Sequence, residues 1–458
     1  MRPQQSLQPP LSNLPPEVLG RIFLYSLEEP GKQRKLPHPR TLCSVCSRWR
    51  GIALSTPRLW TTVVVAILYS ISQERAEEKV AYLHTWIGRS GALPLLLYIR
   101  RGRAKTSEQE HPVDFTDRFL DALTRYASRW EAVFFDFTVE YPGRRHSPQF
   151  YIDFPFASWS SLRRIASSNY YAPLHQNKSV PWSQLTHFTI NADMSPRVAL
   201  EILERCPHLV EARIRLDSTS TQTPPSPTSP PLIQNSLRKL DVMTPNLIFF
   251  FSAIALPSLA ELRLILLCAN SEEATHLASF LTRSQCQLDK LTFSGIPFSA
   301  DDMAHCLELK SCASLTELAA EYTLIAQPRP HKIPAVTEDI LKRLTLHPSN
   351  PAPLCPNLSY LRFHKGEWDS LDTIVDMVSS RLCPEEMIPG LDVPRIRYLH
   401  LEVRFHHQLE QLLTEVAKKS GMNYASNGDS AFFTFVASRE VIVGRVGPTY
   451  PHGSFFLT

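Results

Sequence analysis

Residues 14–60 read LPPEVLGRIFLYSLEEPGKQRKLPHPRTLCSVCSRWRGIALSTPRLW, and this stretch decides how the chain is organised. Two short amphipathic helices are legible in it. Asn13 stands at the cap position of the first, Pro15 and Pro16 at its opening positions and Glu17 in its first turn, all helix-start signals. Val18, Leu19, Ile22 and Phe23 recur at helical spacing as one apolar stripe. The spacing predicts a second helix from near Thr41, where Leu42, Val45, Cys46, Trp49 and Ala53 keep to one face. About fifty residues make a poor core alone. Two apolar helices of this size either cap the domain that follows or dock on another protein.

The same stretch resembles an F-box. That family's pattern is met at Leu14, Pro15 and Glu17, at Ile22 and Phe23, at Val45, Cys46, Trp49 and Arg50, and at Pro57, Leu59 and Trp60. The link from Glu28 to Arg40 is longer and richer in Lys, Arg and Pro than the family core, which bears on the edge of any contact. The resemblance implies a Skp1-like adaptor as partner and, through it, a cullin-RING ubiquitin ligase. It also implies that Leu14, Pro15, Val18, Leu19, Ile22, Phe23, Val45, Cys46 and Trp49 form the adaptor-binding apolar face.

Composition narrows the classes. At 458 residues the chain suits a short module plus an elongated domain. A net charge of +4 is a mild excess. The basic groups at Arg100, Arg101, Arg103, Lys105, Arg144 and Arg145 lack interleaved aromatics, so a solvated loop is the expectation and nucleic acid is not. Nine scattered cysteines argue for a reducing compartment, cytoplasm or nucleus, over a disulfide framework. Cys43 and Cys46 form a lone Cys-x-x-Cys without a second ligand pair, so helix packing is the expectation there. The N-terminal MRPQQSLQPP is polar and Pro-rich, unlike a signal peptide, and residues 1–10 are expected to be a disordered tail. The uncharged run Val242–Ala260 approaches membrane-span length, but Pro245 and Pro257 interrupt it. Buried helix and turn is the expectation, with no membrane partner.

After residue 60 an α/β rhythm sets in. Ala76, Val80, Leu83 and Ile87 share a helical face, and Leu93–Ile99 reads as a strand buried on both sides. Phe115, Phe119, Ala122 and Tyr126 mark another helix, followed by a strand over Trp130–Phe137. A repeating unit then appears, ending in apolar-x-x-apolar-x-apolar. Its first positions are Leu185, Leu209, Leu237, Leu259, Leu288, Leu315, Leu358 and Ile396, with a weaker copy at Leu162 and Ile165. Successive spacings of 24, 28, 22, 29, 27, 43 and 38 residues lie mostly near those of leucine-rich repeats. Phrases such as Cys206-Pro207-His208-Leu209 end one helix and open the next strand. Helices are predicted around Ile202, Leu277, Cys306 and Ile374. Leu341, Leu344 and Leu346 fit the strand template as well, but Thr337, Glu338 and Asp339 make a helix start there.

This region resembles the divergent leucine-rich-repeat-like domains of many fungal F-box proteins. The fold class expected is therefore α/β: a small all-helical F-box module at 11–60, then an irregular leucine-rich-repeat-like solenoid over 61–458 with a parallel sheet on its concave side. An ordinary α/β domain with the same rhythm is the alternative. Thr186, His187, Arg213, Arg215, Arg238, Arg263, Thr292, Arg362 and His400 occupy the x positions and are candidate concave-face residues for binding a target protein. Residues 218–231, STSTQTPPSPTSPP, have no apolar anchors and are expected to be a disordered loop, with Ser-Pro and Thr-Pro steps open to phosphorylation. Residues 430–447 are expected to be a hairpin cap, with strands at Phe432–Ala437 and Val441–Val446.

No catalytic layout emerges. There is no Gly-rich phosphate loop, no His-Glu-x-x-His and no Gly-x-Ser-x-Gly, and His406 and His407 would point to opposite faces of a strand. The expectation is a non-catalytic receptor subunit without cofactor or metal. An F-box scaffold that binds the adaptor without promoting ubiquitination is the alternative, and an enzyme hidden after residue 74 is a third reading.

Overall fold

The apolar-x-x-apolar-x-apolar phrase places each strand and decides what it buries. The computed structural model describes residues 14–27, 39–67, 73–101, 116–136, 156–167, 178–217, 230–267, 273–295, 299–321, 336–348, 352–363, 370–384, 394–402, 407–427 and 430–436. They form two units, one up to Pro181 and the other from Trp182.

The first unit opens with α1 (Pro16–Leu27), α2 (Pro39–Val45) and α3 (Ser47–Leu54), followed by a 3-10 turn at Pro57–Trp60. The single helix expected from Thr41 is thus two. Cys46 breaks it, in extended backbone at φ −158° and ψ 170°, and its Sγ accepts from Trp49 N. An α/β run follows: β1 (Thr62–Ile67), α4 (Gln73–Arg89), β2 (Leu95–Arg101), α5 (Thr116–Thr124), β3 (Trp130–Asp136) and β4 (Arg164–Ser167). These four strands pair in parallel in chain order. β1 was not among the expected elements, although TVVVAI is a β-branched run of the kind that favours strands. One face buries Val63, Leu97, Val133 and Ile165 in register.

The second unit continues with β5 (His187–Met194), α6 (Pro196–Arg205), β6 (Glu211–Leu216), β7 (Leu232–Ile233), β8 (Lys239–Thr244), α7 (Ile248–Ser252), β9 (Ile254–Ala255) and β10 (Glu261–Leu266). Then come α8 (Glu273–Ser284), β11 (Lys290–Ser294), α9 (Ala300–Glu308), β12 (Glu317–Glu321), α10 (Glu338–Leu344) and β13 (Tyr360–Phe363). It ends with α11 (Leu371–Leu382), β14 (Tyr398–Glu402), α12 (His407–Ser420), β15 (Asn423–Asn427) and β16 (Ser430–Val436). The sheet order is β5-β6-β8-β10-β11-β12-β13-β14-β16-β15, parallel up to β14, while β7 and β9 pair separately. Val242–Ala260 therefore runs from β8 through the short α7 to β9. No helix among the described residues is long and apolar enough to cross a membrane.

Each first-position leucine lies in the turn before its strand and is buried. The fourth positions stack in register as Phe188, Ala212, Leu240, Leu262, Leu291, Leu318, Leu361 and Leu399. The sixth positions do the same from Ile190 to Leu401, so two apolar rows cross the sheet. Backbone bonding repeats as faithfully. Two consecutive N–H groups at a strand start donate to one carbonyl of the preceding unit. The acceptors are Thr186, Val210, Arg238, Ala260, Asp289, Thr316 and Ser359. Each such pair fixes the register of the next strand, leaving the helices to pack on their chain neighbours.

The strand that contains Phe432 pairs antiparallel with β14 and with β15, which precedes it. Val441–Val446 lies outside the described residues, as do the tail at 1–10, residues 218–229 of the Ser/Thr/Pro loop and His406. The helix expected from Thr337 is α10.

A buried arginine ties α11 to its neighbours. Arg381 is 1% exposed. Its guanidinium donates to the carbonyls of Leu344, Leu354, Cys355 and Pro356 at 2.6–3.1 Å. Burial pulls its pKa down to about 10.

Candidate partner-binding surface

Helix α1 is apolar on two sides, and only one of them is used inside the molecule. Leu19 and Phe23 are buried, and Phe23 meets Trp49 of α3 with ring centroids 4.8 Å apart. Val18, Ile22 and Tyr25 lie at helical spacing on the other side and are 41%, 42% and 72% exposed. Val45, at the end of α2, is 55% exposed, and Pro15 and Cys46 are exposed as well. Leu14 and Trp49 are half-buried. The nine residues that the F-box pattern marks therefore separate into an outer set of Pro15, Val18, Ile22, Val45 and Cys46 and an inner pair of Leu19 and Phe23. Leu14 and Trp49 stand at the boundary. Tyr25 belongs with the outer set, a residue the motif did not mark. Its place one turn beyond Ile22 and two beyond Val18 is the signal that finds it.

Side chains bonded to backbone hold these helices in place. The Arg48 guanidinium donates to the Leu14 carbonyl, which brings the start of α1 to the first turn of α3. Arg50 Nε donates to the Cys43 carbonyl at 2.9 Å. Behind them, Trp60 is fully buried and its Nε1 donates to the Ala53 carbonyl at 2.8 Å. The Trp60 ring packs edge-on against Trp86 of α4 at 4.7 Å, and the Arg89 guanidinium covers it at 4.5 Å. Trp86 Nε1 closes the joint on the Thr62 carbonyl of β1 at 3.0 Å. The helical module and the first strand of the sheet are thus one packed body within the first unit.

Cys46 acts as a helix cap, and sulfur is a weak acceptor. Serine is a preferred cap residue. Cys46→Ser should therefore raise stability by roughly 0.5–1 kcal/mol, read as a higher denaturation midpoint of the full chain.

Four buried cysteines of the second unit are packing residues. Burial pushes the thiols of Cys206, Cys306 and Cys355 up to about 12 and raises that of Cys312. A nucleophilic cysteine needs the opposite shift. Among the described residues no three His, Cys, Asp or Glu side chains are placed to hold a metal ion.

The candidate target-facing residues are scattered in exposure. Arg213, Arg263, Thr292 and Arg362 share one row of the sheet and are half-buried. His400 lies in the same row but is only 1% exposed. Arg215 is one row on, bonded to Asp193 at 2.5 Å. His187 stands at the start of β5, while Thr186 and Arg238 precede their strands and offer carbonyls to the next one.

Comparison with known proteins agrees with this geometry for one part of the chain. Residues 11–66 match the F-box-like family. That span takes in the three helices, Trp60 and most of β1. No curated protein matches the chain.

Proposed function

We propose, from an F-box-like domain at residues 11–66, that this chain is the substrate-recognition subunit of an SCF-type (Skp1–cullin–F-box) ubiquitin ligase. F-box domains bind the adaptor of such complexes. The observation that carries the reading is the apolar side of α1, where Val18, Ile22 and Tyr25 face outward while Leu19 and Phe23 complete the interior. Large apolar side chains grouped on one helix mark an interaction surface. The adaptor would cover the outer set, with Leu14 and Trp49 at the rim. The inner pair would shape the helices from behind.

The α/β region is then an irregular leucine-rich-repeat-like solenoid that holds a target protein. Two things support the repeat reading: the same apolar rows run from strand to strand, and the same paired N–H donation recurs at each strand start. Catalysis would be by proximity. The receptor raises the concentration of target near a ubiquitin-charged enzyme and supplies no reacting group of its own. All eight cysteines among the described residues are free, which fits residence in the reducing cytoplasm or nucleus.

The test is reconstitution with a purified Skp1-type adaptor, followed by quantitative proteomics of cells carrying the intact chain or a deletion of residues 11–60. Adaptor co-purification together with specific proteins stabilised by the deletion is the expected result. Adaptor binding with an unchanged proteome would mean a scaffold, and no adaptor binding would overturn the proposal.

A further inference from the structure

On the second unit's sheet, the face opposite the apolar rows carries two unlike rows of side chains. The first, in strict register, is Glu211, Lys239, Glu261, Lys290 and Glu317, then Tyr360 and Tyr398. Its charges alternate and cancel locally. Lys239 lies 3.3 Å from Glu211 and 4.0 Å from Glu261, and Lys290 lies 2.8 Å from Glu317. The neighbouring glutamates, Glu317 first, raise the Lys290 pKa. The two tyrosine rings stack face to face, 4.4 Å apart and 8° from parallel.

The second row reads Arg213, Asp241, Arg263, Thr292, Ala319, Arg362 and His400. It holds three guanidiniums and one carboxylate. Asp241 is committed to Arg213 at 2.8 Å. Between Arg263 and Arg362 stand only Thr292 and Ala319, whose short side chains leave a low floor between two long ones. Of the first-row carboxylates nearest the floor, Glu261, two residues before Arg263 on β10, lies 4.0 Å from Lys239, and Glu317 is held by Lys290 at 2.8 Å. Arg263 and Arg362 already interact within the chain, but each guanidinium has five N–H donors and capacity beyond one bond. Arginine and tyrosine are also the residues that most often anchor protein interfaces.

We infer that this floor, bounded by Arg263 and Arg362 and continued by the Tyr360–Tyr398 stack, binds an acidic extended segment of a partner protein. The inference rests on the proposed role of this region as a target holder and names the chemistry of the target. Three strand spacings separate the two arginines, roughly 14 Å. An extended peptide covers that distance in about four residues, and residues four apart point to the same side. The fitting ligand therefore carries two carboxylates at i and i+4 and lies across the strands. A long polyanion fits less well, because Glu211, Glu261 and Glu317 line the adjoining row.

The test is fluorescence anisotropy at low salt with the full chain and a labelled eight-residue peptide bearing glutamates at i and i+4. A glutamine counterpart and a uridine homopolymer serve as the other probes. The acidic peptide should bind at least about tenfold more tightly than the glutamine peptide. The double variant Arg263→Gln/Arg362→Gln should abolish that difference, while Lys418→Gln/Lys419→Gln, an equal charge change on the exposed end of α12, should preserve it. Equal binding of both peptides up to about 1 mM, or indifference to the arginine pair, overturns the inference. Tighter binding of the RNA with the same arginine dependence overturns the choice of a protein partner. Adaptor capture is measured on the same preparations. If it succeeds while the peptides fail, only this inference falls. If it fails, the ligase reading falls, whatever the peptides do.

Discussion

Replacing Arg381 by alanine should cost the second unit about 3–5 kcal/mol. The guanidinium is 1% exposed and is the donor for four carbonyls, those of Leu344, Leu354, Cys355 and Pro356. Removing it leaves buried acceptors without donors and opens a cavity at the joint of α10, α11 and the turn before β13. Burial has already pulled the pKa of this group down from the usual arginine range to about 10. A base whose folded pKa is depressed is penalised wherever it is charged in both states, here everywhere below about 10. The penalty is relieved only as pH rises from there towards the usual arginine range. The wild-type protein tolerates it because the fork of donors matches four fixed carbonyls. Arg381→Lys keeps the charge but offers a point donor instead of a planar fork, so it should fall between wild type and alanine. Urea unfolding of the full chain near neutral pH reads both effects. A midpoint unchanged in Arg381→Ala would show that the carbonyls find other donors.

That arginine was invisible in the sequence, where Ser-Ser-Arg-Leu at the end of an amphipathic helix reads as a basic last turn. Its acceptors lie 25 to 37 residues away, and nothing local announces them. The strand phrase was legible for the opposite reason. A buried leucine in the turn and apolar residues three and five positions later are a local pattern, and the array repeats it in register from β5 to β14. The break at Cys46 escaped because the apolar period runs unchanged from Leu42 to Ala53, and cysteine is not a usual cap residue. The place of β16 between β14 and β15 is likewise not announced by the apolar run at Phe432–Ala437. The pairing of β16 with Leu399 and Leu401 of β14 depends on distant residues. At the F-box surface the motif marked which residues matter but not which way they face. Four apolar residues at 18, 19, 22 and 23 wrap more than one side of α1, and Phe23 turns inward where α1 packs on α3 and the Pro57–Trp60 turn.

That division of α1 yields the second large effect. Ile22→Asp should weaken adaptor binding by at least about thirtyfold, the loss of one interface anchor worth roughly 2 kcal/mol. Ile22 is 42% exposed, so an aspartate there is solvated in the free protein and the unfolding midpoint should barely move. Under an apolar partner surface the same carboxylate would be stripped of water with no counter-charge, which is why aspartate is the more severe test than alanine. Phe23→Ala is the contrasting variant. Phe23 is 1% exposed and packed on Trp49 at 4.8 Å. Its loss should cost about 3–5 kcal/mol of stability, weakening adaptor binding only by loosening the helices. Calorimetric titration of both variants with purified adaptor, alongside thermal unfolding, separates a surface effect from an interior one. If Ile22→Asp binds like wild type while Phe23→Ala loses both binding and stability, the outward side of α1 is not where the adaptor sits, and the partner must reach the module through another face.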